Sequence, residues 1–422
     1  MDRQAVNQTP AGAEALRIID VLSDAGFHAV LAGGCVRDGL LGRRPKDYDV
    51  ATDATPPAVR RLFGHRRTLA FGASFGVIGV LPEHSGDEDA IEDDGPKTGV
   101  TEVATFRSDG DYHDGRRPDA VTFGDARADA VRRDFTINGL FFDPARDDSI
   151  LDYVGGHDDL RRRVVRAIGD PHQRFAEDHL RLLRAVRFAT TLAFDVEPDT
   201  LRAVRDHADD LSGVSAERIG AEMRRILGDP NAPRGLSMLF DTGLSRRAWP
   251  SLNAAAIETF ADRWSITPTN DPVAATAMML ADNGFGDDAV DEVTGVWRLS
   301  NAERRRIEFA LQHYATIALG AETPWSTLQP IVAHPRARDA IDLATAICAA
   351  DELSCAGLLR CTEALRWPES RLDPSPLITG EDLRSAGMTP GPEFKAILAE
   401  VRRRQLDGEL LTRREAMAWA LG

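Results

Sequence analysis

Long apolar runs are missing from this chain. None approaches the roughly eighteen residues that a membrane-crossing helix needs, so no span is expected. The opening stretch, MDRQAVNQTPAGAE, is polar and holds no apolar signal core, and the expectation is a soluble, cytoplasmic protein. Cysteine is scarce as well. The four cysteines, Cys35, Cys348, Cys355 and Cys361, form no C-x-x-C pair and no zinc-ligand spacing, which points to free thiols in a reducing compartment. Positive charge is in deficit: 51 Lys and Arg stand against 67 Asp and Glu, a net charge of −16, which argues against a protein that coats nucleic acid by bulk attraction. The deficit is unevenly spread, because seven acids lie in residues 81–100 while residues 160–190 carry eight arginines against three acids. A local basic groove can still bind RNA, with strong salt dependence.

What is present begins with length, since 422 residues suffice for two to four domains and a sizeable core. The chain is organised around residues 30–51, VLAGGCVRDGLLGRRPKDYDVA. The apolar run ending at Ala32 reads as a buried strand, and Gly33-Gly34 lets the backbone turn sharply and approach another molecule closely. A helix carrying Arg37 and Asp38 should follow, so that strand, diglycine and helix start together offer N–H groups suited to phosphate. Asp47 and Asp49 come next. If that segment is extended, the two carboxylates stand on one face and repel each other unless a cation joins them. A hard divalent ion such as Mg²⁺ takes carboxylates together with substrate phosphates, which points to metal-assisted nucleotidyl transfer.

Along the chain, residues 14–26 read as a helix and Thr55-Pro56-Pro57 starts a second one. Residues 68–71 and 75–81 read as strands joined by a turn at 72–74, and the acidic segment 81–100 as a solvated loop. Strand character resumes at 101–106 and 119–123. Between them RSDGDYHDGRRP (107–118) has no apolar face and reads as a mobile, charged loop suited to gating. Glu102 reads as a surface strand glutamate, with a third acidic group near the Asp pair as the alternative. Residues 128–140, ADAVRRDFTINGL, are expected to form a helix with Arg133 and Asp134 in its middle and Asn138 one turn on. A further helix is expected over 174–189. Phe175, Leu182, Val186 and Ala189 fall within about 60° of one another at 100° per residue and form its buried face. Asp178, Arg181, Arg184 and Arg187 follow one another three apart on the other side. Asp178 can pair with Arg181, but Arg184 and Arg187 find no acid at helical spacing, so an anion from elsewhere is expected there.

GG-x-V-R-D followed by K-D-x-D, then R-R-D-F-T-I-N at 132–138 and E-D-x-x-R at 177–181, resembles the class II tRNA nucleotidyltransferase and poly(A) polymerase family of the polymerase β-like nucleotidyltransferases. Residues 151–160 resemble the family's hinge, and SAERIGAEMRRIL (215–227), with Arg218 near its start, its last motif. The resemblance implies an α+β fold: a catalytic head with a short mixed sheet (1–150), then an all-helical neck (151–230), body (231–375) and tail (376–422). It implies addition of C and A from CTP and ATP to the 3′ end of tRNA, with Mg²⁺ held by Asp47 and Asp49. Gly33, Gly34, Arg37, Arg133, Asp134, Asn138, Asp178, Arg181, Arg184 and Arg187 would bind the nucleotide, Asp178 and Arg181 reading its base and Asp134 the ribose hydroxyl. A carboxylate accepts from the exocyclic amine of cytosine or adenine while a guanidinium donates to the neighbouring ring acceptor. The loop at 107–118 resembles the family element tied to the switch from C to A. An A-adding enzyme, a poly(A) polymerase and a catalytically silent RNA-binding relative stay open as alternatives, and the sequence leaves the oligomeric state undecided.

Overall fold

The computed structural model describes residues 1–72, 76–82, 99–109, 121–281, 283–286, 288–351, 356–389 and 391–422. The chain divides into two compact units, one of Met1–Arg218 with Asp241–Arg247, the other of Ile219–Phe240 with Ala248–Gly422. Among the described residues, no helix is long and apolar enough to cross a membrane.

The first unit is built on a mixed sheet, because its apolar runs are too short for helices and rich in Val and Ala. Strands β1 (Ala29–Ala32), β2 (Asp49–Thr52), β3 (Thr68–Gly72), β4 (Val77–Val80), β5 (Thr101–Thr105), β6 (Leu140–Asp143) and β7 (Ser149–Asp152) lie in the order β3-β4-β5-β2-β1-β6-β7. Only β2 and β5 run parallel; the other neighbours are antiparallel. Val30, Ala32 and Ala51 share one face with Phe106, Phe141, Ala126 and Ala130. Helix α1 (Pro10–Asp24) packs against β1, β2 and β5, its start fixed by Thr9, whose hydroxyl accepts the Gly12 N–H, and by Pro10 in the first turn. This is the α+β head that the sequence implies. The segment expected to be a loop at 107–118 opens as a strand, Arg107–Asp109, paired with Val121–Phe123. The remainder of that loop, most of the acidic segment 81–100 and residues 73–75, which take in most of the turn expected at 72–74, lie outside the described residues, as does Cys355.

Two expected helices are interrupted. The one expected over 128–140 is only α3 (Ala126–Val131), and the chain then extends at Phe135 and makes one 3-10 turn at Thr136–Asn138 before β6. Its backbone groups are taken up elsewhere: the Asp134 carboxylate accepts the Phe135 N–H at 2.8 Å, and Thr136 N–H donates to the Arg166 carbonyl at 2.9 Å. An aspartate that captures the next N–H competes with helix continuation. The single helix expected over 174–189 is two, α4 (Pro171–Glu177) and α5 (Leu180–Leu192), split at an extended Asp178 (φ −146°, ψ 105°). Here the cause is the same chemistry, since the Asp178 carboxylate accepts the Leu180 N–H at 3.1 Å and starts the second helix. The expected apolar face nevertheless holds, with Phe175, Leu182, Val186 and Ala189 all buried.

The second unit is helical throughout its described residues. Ala254–Ile266, Pro272–Leu280, Asn301–Ala318 and Ala337–Ala350 pack on one another, the third opened by a capping box of Ser300 and Glu303. Trp249 and Trp297 meet edge to face at 4.8 Å, and a separate small core of Ile378, Leu383, Val401, Leu410 and Ala416 closes the C-terminal residues.

Candidate active site

The chain alternates as it enters strand β2, which then stays buried through Thr52: Asp47 and Asp49 are exposed and Tyr48 and Val50 buried. That is the one-face arrangement expected for the pair. The parallel register Val50 to Val103 brings Glu102 beside Asp49; Glu102 is an exposed strand glutamate, as expected, and its charge also reaches Asp49. Asp49 keeps accessible surface but sits against a dense floor of protein. That burial, with the charge of Glu102 and then of Asp47, pushes its carboxyl up to about 6 in spite of the Arg133 guanidinium. Behind it the Cys35 thiol is driven up to about 12 by its own burial and the Asp49 charge, so it is neutral and inert. Among the described residues no three His, Cys, Asp or Glu side chains form a ready metal cage. A cation here would be held by carboxylates on one side only, an arrangement that suits Mg²⁺ completing its shell with water and phosphate.

Gly33 leaves β1 with φ +73° and leads into α2 (Gly34–Leu40). The backbone angle at Gly33 calls for glycine, and a Cβ there would stand 2.6 Å from Arg133 Nη1 and push that guanidinium aside. Arg133 is held by Asp129 at 2.9 and 3.1 Å and donates to the Asn138 carbonyl at 3.1 Å. Burial would raise the Asp129 carboxyl, but Arg133 and Arg132 hold it below its ordinary value. Arg37 reaches across from α2 and donates to the Asn138 side-chain oxygen at 2.7 Å. The Asn138 amide donates in turn to Asp134 at 3.0 Å, and Arg184 Nε on α5 donates to the same carboxylate at 2.7 Å. Burial alone would raise Asp134; Arg184, Asn138 and the Phe135 N–H outweigh it and hold the carboxyl well below the usual range.

Arg184 has no acid at helical spacing, as expected, and the anion that comes to it from elsewhere is Asp134, fifty residues earlier. The pairing of Asp178 with Arg181 is corrected. Asp178 accepts two bonds from Arg218 Nη2, at 2.7 and 3.0 Å, whereas Arg181 pairs with Glu177 and donates to the carbonyls of Arg174 and Arg132 at 2.9 and 3.2 Å. Arg187 lies over the Phe188 ring at 3.7 Å. Gly33, Arg37, Arg133, Asp134, Asn138 and Arg184 thus form one connected group next to Asp49, and Asp178 with Arg181 stands at the break between α4 and α5. Arg218 and Phe188 were not singled out as site residues; the sequence marks Arg218 only by its motif, and Phe188 by nothing beyond an apolar position.

A family profile described as the poly A polymerase head domain matches residues 29–166, and one described as a probable RNA and SrmB-binding site of polymerase A matches residues 193–256. A CCA-adding enzyme of Levilactobacillus brevis is 30% identical over 418 residues, covering 96% of this chain and 96% of its own. The chain belongs to the CCA-adding enzymes of the polymerase β-like nucleotidyltransferases. A CCA-adding enzyme of Geobacillus stearothermophilus is 41% identical over 237 residues, 56% of this chain and 54% of that relative. The crystal structure of the Bacillus stearothermophilus CCA-adding enzyme in complex with CTP matches with a TM-score of 0.77 at 30% identity, covering 98% of this chain and 97% of that one. A Thermotoga maritima CCA-adding enzyme complexed with tRNA shares the fold, with a TM-score of 0.67 at 18% identity. Within this CCA-adding framework the head profile spans every candidate from Gly33 to Asn138, while the arginine helix α5 falls between the two profiles.

Proposed function

We propose that this chain adds C and A to the 3′ end of tRNA from CTP and ATP, releasing pyrophosphate. The observation that carries the reading is the crowding of acids round Asp49, with Glu102 and Asp47 both raising its carboxyl on two inner strands, beside a prebuilt group of arginines. Phosphoryl transfer needs both: positive charge fixed around the phosphates and a place for divalent metal at the reacting oxygen. Membership of the CCA-adding family, and the CTP and tRNA complexes of its relatives, support the same assignment.

Asp47 and Asp49 would hold Mg²⁺, which when bound supplies Lewis-acid charge to the attacking 3′-hydroxyl and to the departing pyrophosphate. The raised carboxyl of Asp49 fits that task, because a cation relieves the crowding that raises it. Gly33 and Gly34 let the triphosphate approach the backbone, and Arg37 and Arg133, already oriented by Asn138 and Asp129, take its oxygens. Asp134 keeps Arg184 aimed; its two oxygens already accept from the Phe135 N–H, the Asn138 amide and Arg184, so a ribose hydroxyl would bind there by displacing one of them. Asp178 accepts from the base amine and Arg181 donates to the ring. Uracil and guanine would set carbonyl against carboxylate and N–H against guanidinium, leaving buried groups unpaired.

The test is end-labelling of tRNA that lacks its 3′ CCA, with CTP alone, ATP alone and both. Labelling by CTP alone, and by ATP only after CTP, is the expected result. Incorporation of ATP alone onto tRNA ending in CC, with none from CTP, would instead mark an A-adding enzyme. Long A tracts would mark a poly(A) polymerase.

A further inference from the structure

Phe188 sits in α5 with 4% of its surface exposed, and three guanidinium groups lie over its ring. Arg187 stands 3.7 Å from the ring centroid, Arg37 5.1 Å and Arg184 5.3 Å. Arg37 comes from α2 and the other two from α5, so one ring gathers cations from segments some 150 residues apart in sequence. The ring also meets Phe135 edge to face, 5.7 Å between centroids at 77°. Phe135 is the residue whose N–H closes the cradle of Asp134.

Arginines crowded round one site repel one another. An aromatic face carries a negative quadrupole and accepts weakly hydrated guanidinium groups, which a branched aliphatic side chain of similar size does not. We propose that Phe188 is a positioning residue of the nucleotide site, its ring holding Arg37, Arg184 and Arg187 in the arrangement that receives the triphosphate. The inference rests on the reading of those arginines as nucleotide ligands and deepens it, since it assigns their organisation to an uncharged residue that touches no substrate.

The experiment replaces Phe188 in the full-length chain with mono-, di- and trifluorinated phenylalanine, which drains the ring face of negative charge with little change of volume. Affinity for CTP, ATP and inorganic tripolyphosphate is measured by calorimetry, alongside tRNA affinity and the thermal midpoint. Nucleotide and tripolyphosphate binding should weaken step by step, reaching roughly tenfold with three fluorines, while tRNA affinity and the midpoint stay constant. Phe188→Leu should raise KM for both nucleotides more than it lowers kcat, and Phe188→Tyr should restore most of the loss. A flat fluorine series, or a Leu variant that loses stability with unchanged KM, overturns the inference. A wild-type chain that binds neither nucleotide overturns the functional reading and this inference with it; tight wild-type binding with a flat series overturns the inference alone.

Discussion

Asp49 and Asp134 are aspartates of the first unit, one open on one side and one buried, and their surroundings push them in opposite directions. Asp49 stands among Glu102 and Asp47 with Arg133 as its opposing charge, and its carboxyl rises to about 6. Asp134 is enclosed by Arg184, the Asn138 amide and the Phe135 N–H, and its carboxyl falls well below the ordinary range. The difference separates a site that waits for a charge from one that has been given its charges in advance. On the proposed function, the metal and the phosphates it carries would belong at the first, and the fixed scaffold that aims arginines at the second.

Neutralising one side and then the other should give opposite results. Asp49→Asn, or Asp47→Asn, should cut nucleotide incorporation on the order of a thousandfold. Because the ionised Asp49 opposes folding, its variant should melt at the same temperature as wild type or higher at pH 7.5 in EDTA. A variant that lost activity only by unfolding would break the comparison. Asp134→Asn should destabilise the protein by about 2–3 kcal/mol, less than the full cost of breaking a buried pair because Arg184 keeps a third of its side-chain surface in water. Nucleotide use should fall by about a hundredfold. The sign of the pH dependence follows. The folded carboxyl of Asp134 lies below its unfolded value of 3.8, so its stabilisation is present above that pH and drains away as the pH falls further. Denaturant titrations should therefore show a constant gap between wild type and Asp134→Asn from pH 5 to 8 that narrows below pH 4.

The two aspartates also differ in how far the sequence revealed them. Asp47 and Asp49 are local: a two-residue period on a strand is enough to place both on one face, and the diglycine before them marks the turn. Glu102 needs the register of a strand fifty residues away. Asp134 and Arg184 belong to segments that each read as continuous helix by periodicity, and both helices break where an aspartate captures a nearby N–H. Periodicity records which side chains are buried, and it did so correctly for Phe175, Leu182, Val186 and Ala189. It carries no information about which carboxylate a long arginine will find once the chain has folded, so Asp134 as the anion at Arg184 and Arg218 as the partner of Asp178 are legible only in the fold.

Base selection gives a finer version of the same contrast, because Asp178 is a carboxylate with a scaffold partner that, on the proposed function, would still accept from an incoming base. Asp178→Ala should lower the ratio of CTP to UTP use by roughly one to two orders of magnitude, since cytosine forfeits an amine contact while uracil escapes a carbonyl-to-carboxylate approach worth about 1–3 kcal/mol. Single-nucleotide incorporation onto tRNA lacking CCA measures it, and a uniformly slower variant with unchanged selectivity would reduce Asp178 to a helix-starting residue.

The smallest effect is expected at Arg218, and it discriminates best. Its guanidinium holds both Asp178 oxygens, at 2.7 and 3.0 Å, while the Leu180 N–H holds one of them at 3.1 Å. An ionised carboxylate has about four acceptor directions, so Arg218, Leu180 and a base amine fit it together and need not compete. Removing Arg218 then loosens the carboxylate without releasing it. Arg218→Ala should lower CTP over UTP selectivity by about three- to tenfold, and Arg218→Lys, which keeps the charge but not the planar fork, by less. If the arginine acts through Asp178, the double variant should be no less selective than Asp178→Ala alone, because the second change has nothing left to position. Additive losses in the double variant would place the action of Arg218 elsewhere, and a gain in selectivity in Arg218→Ala would mean that arginine and base compete for the carboxylate.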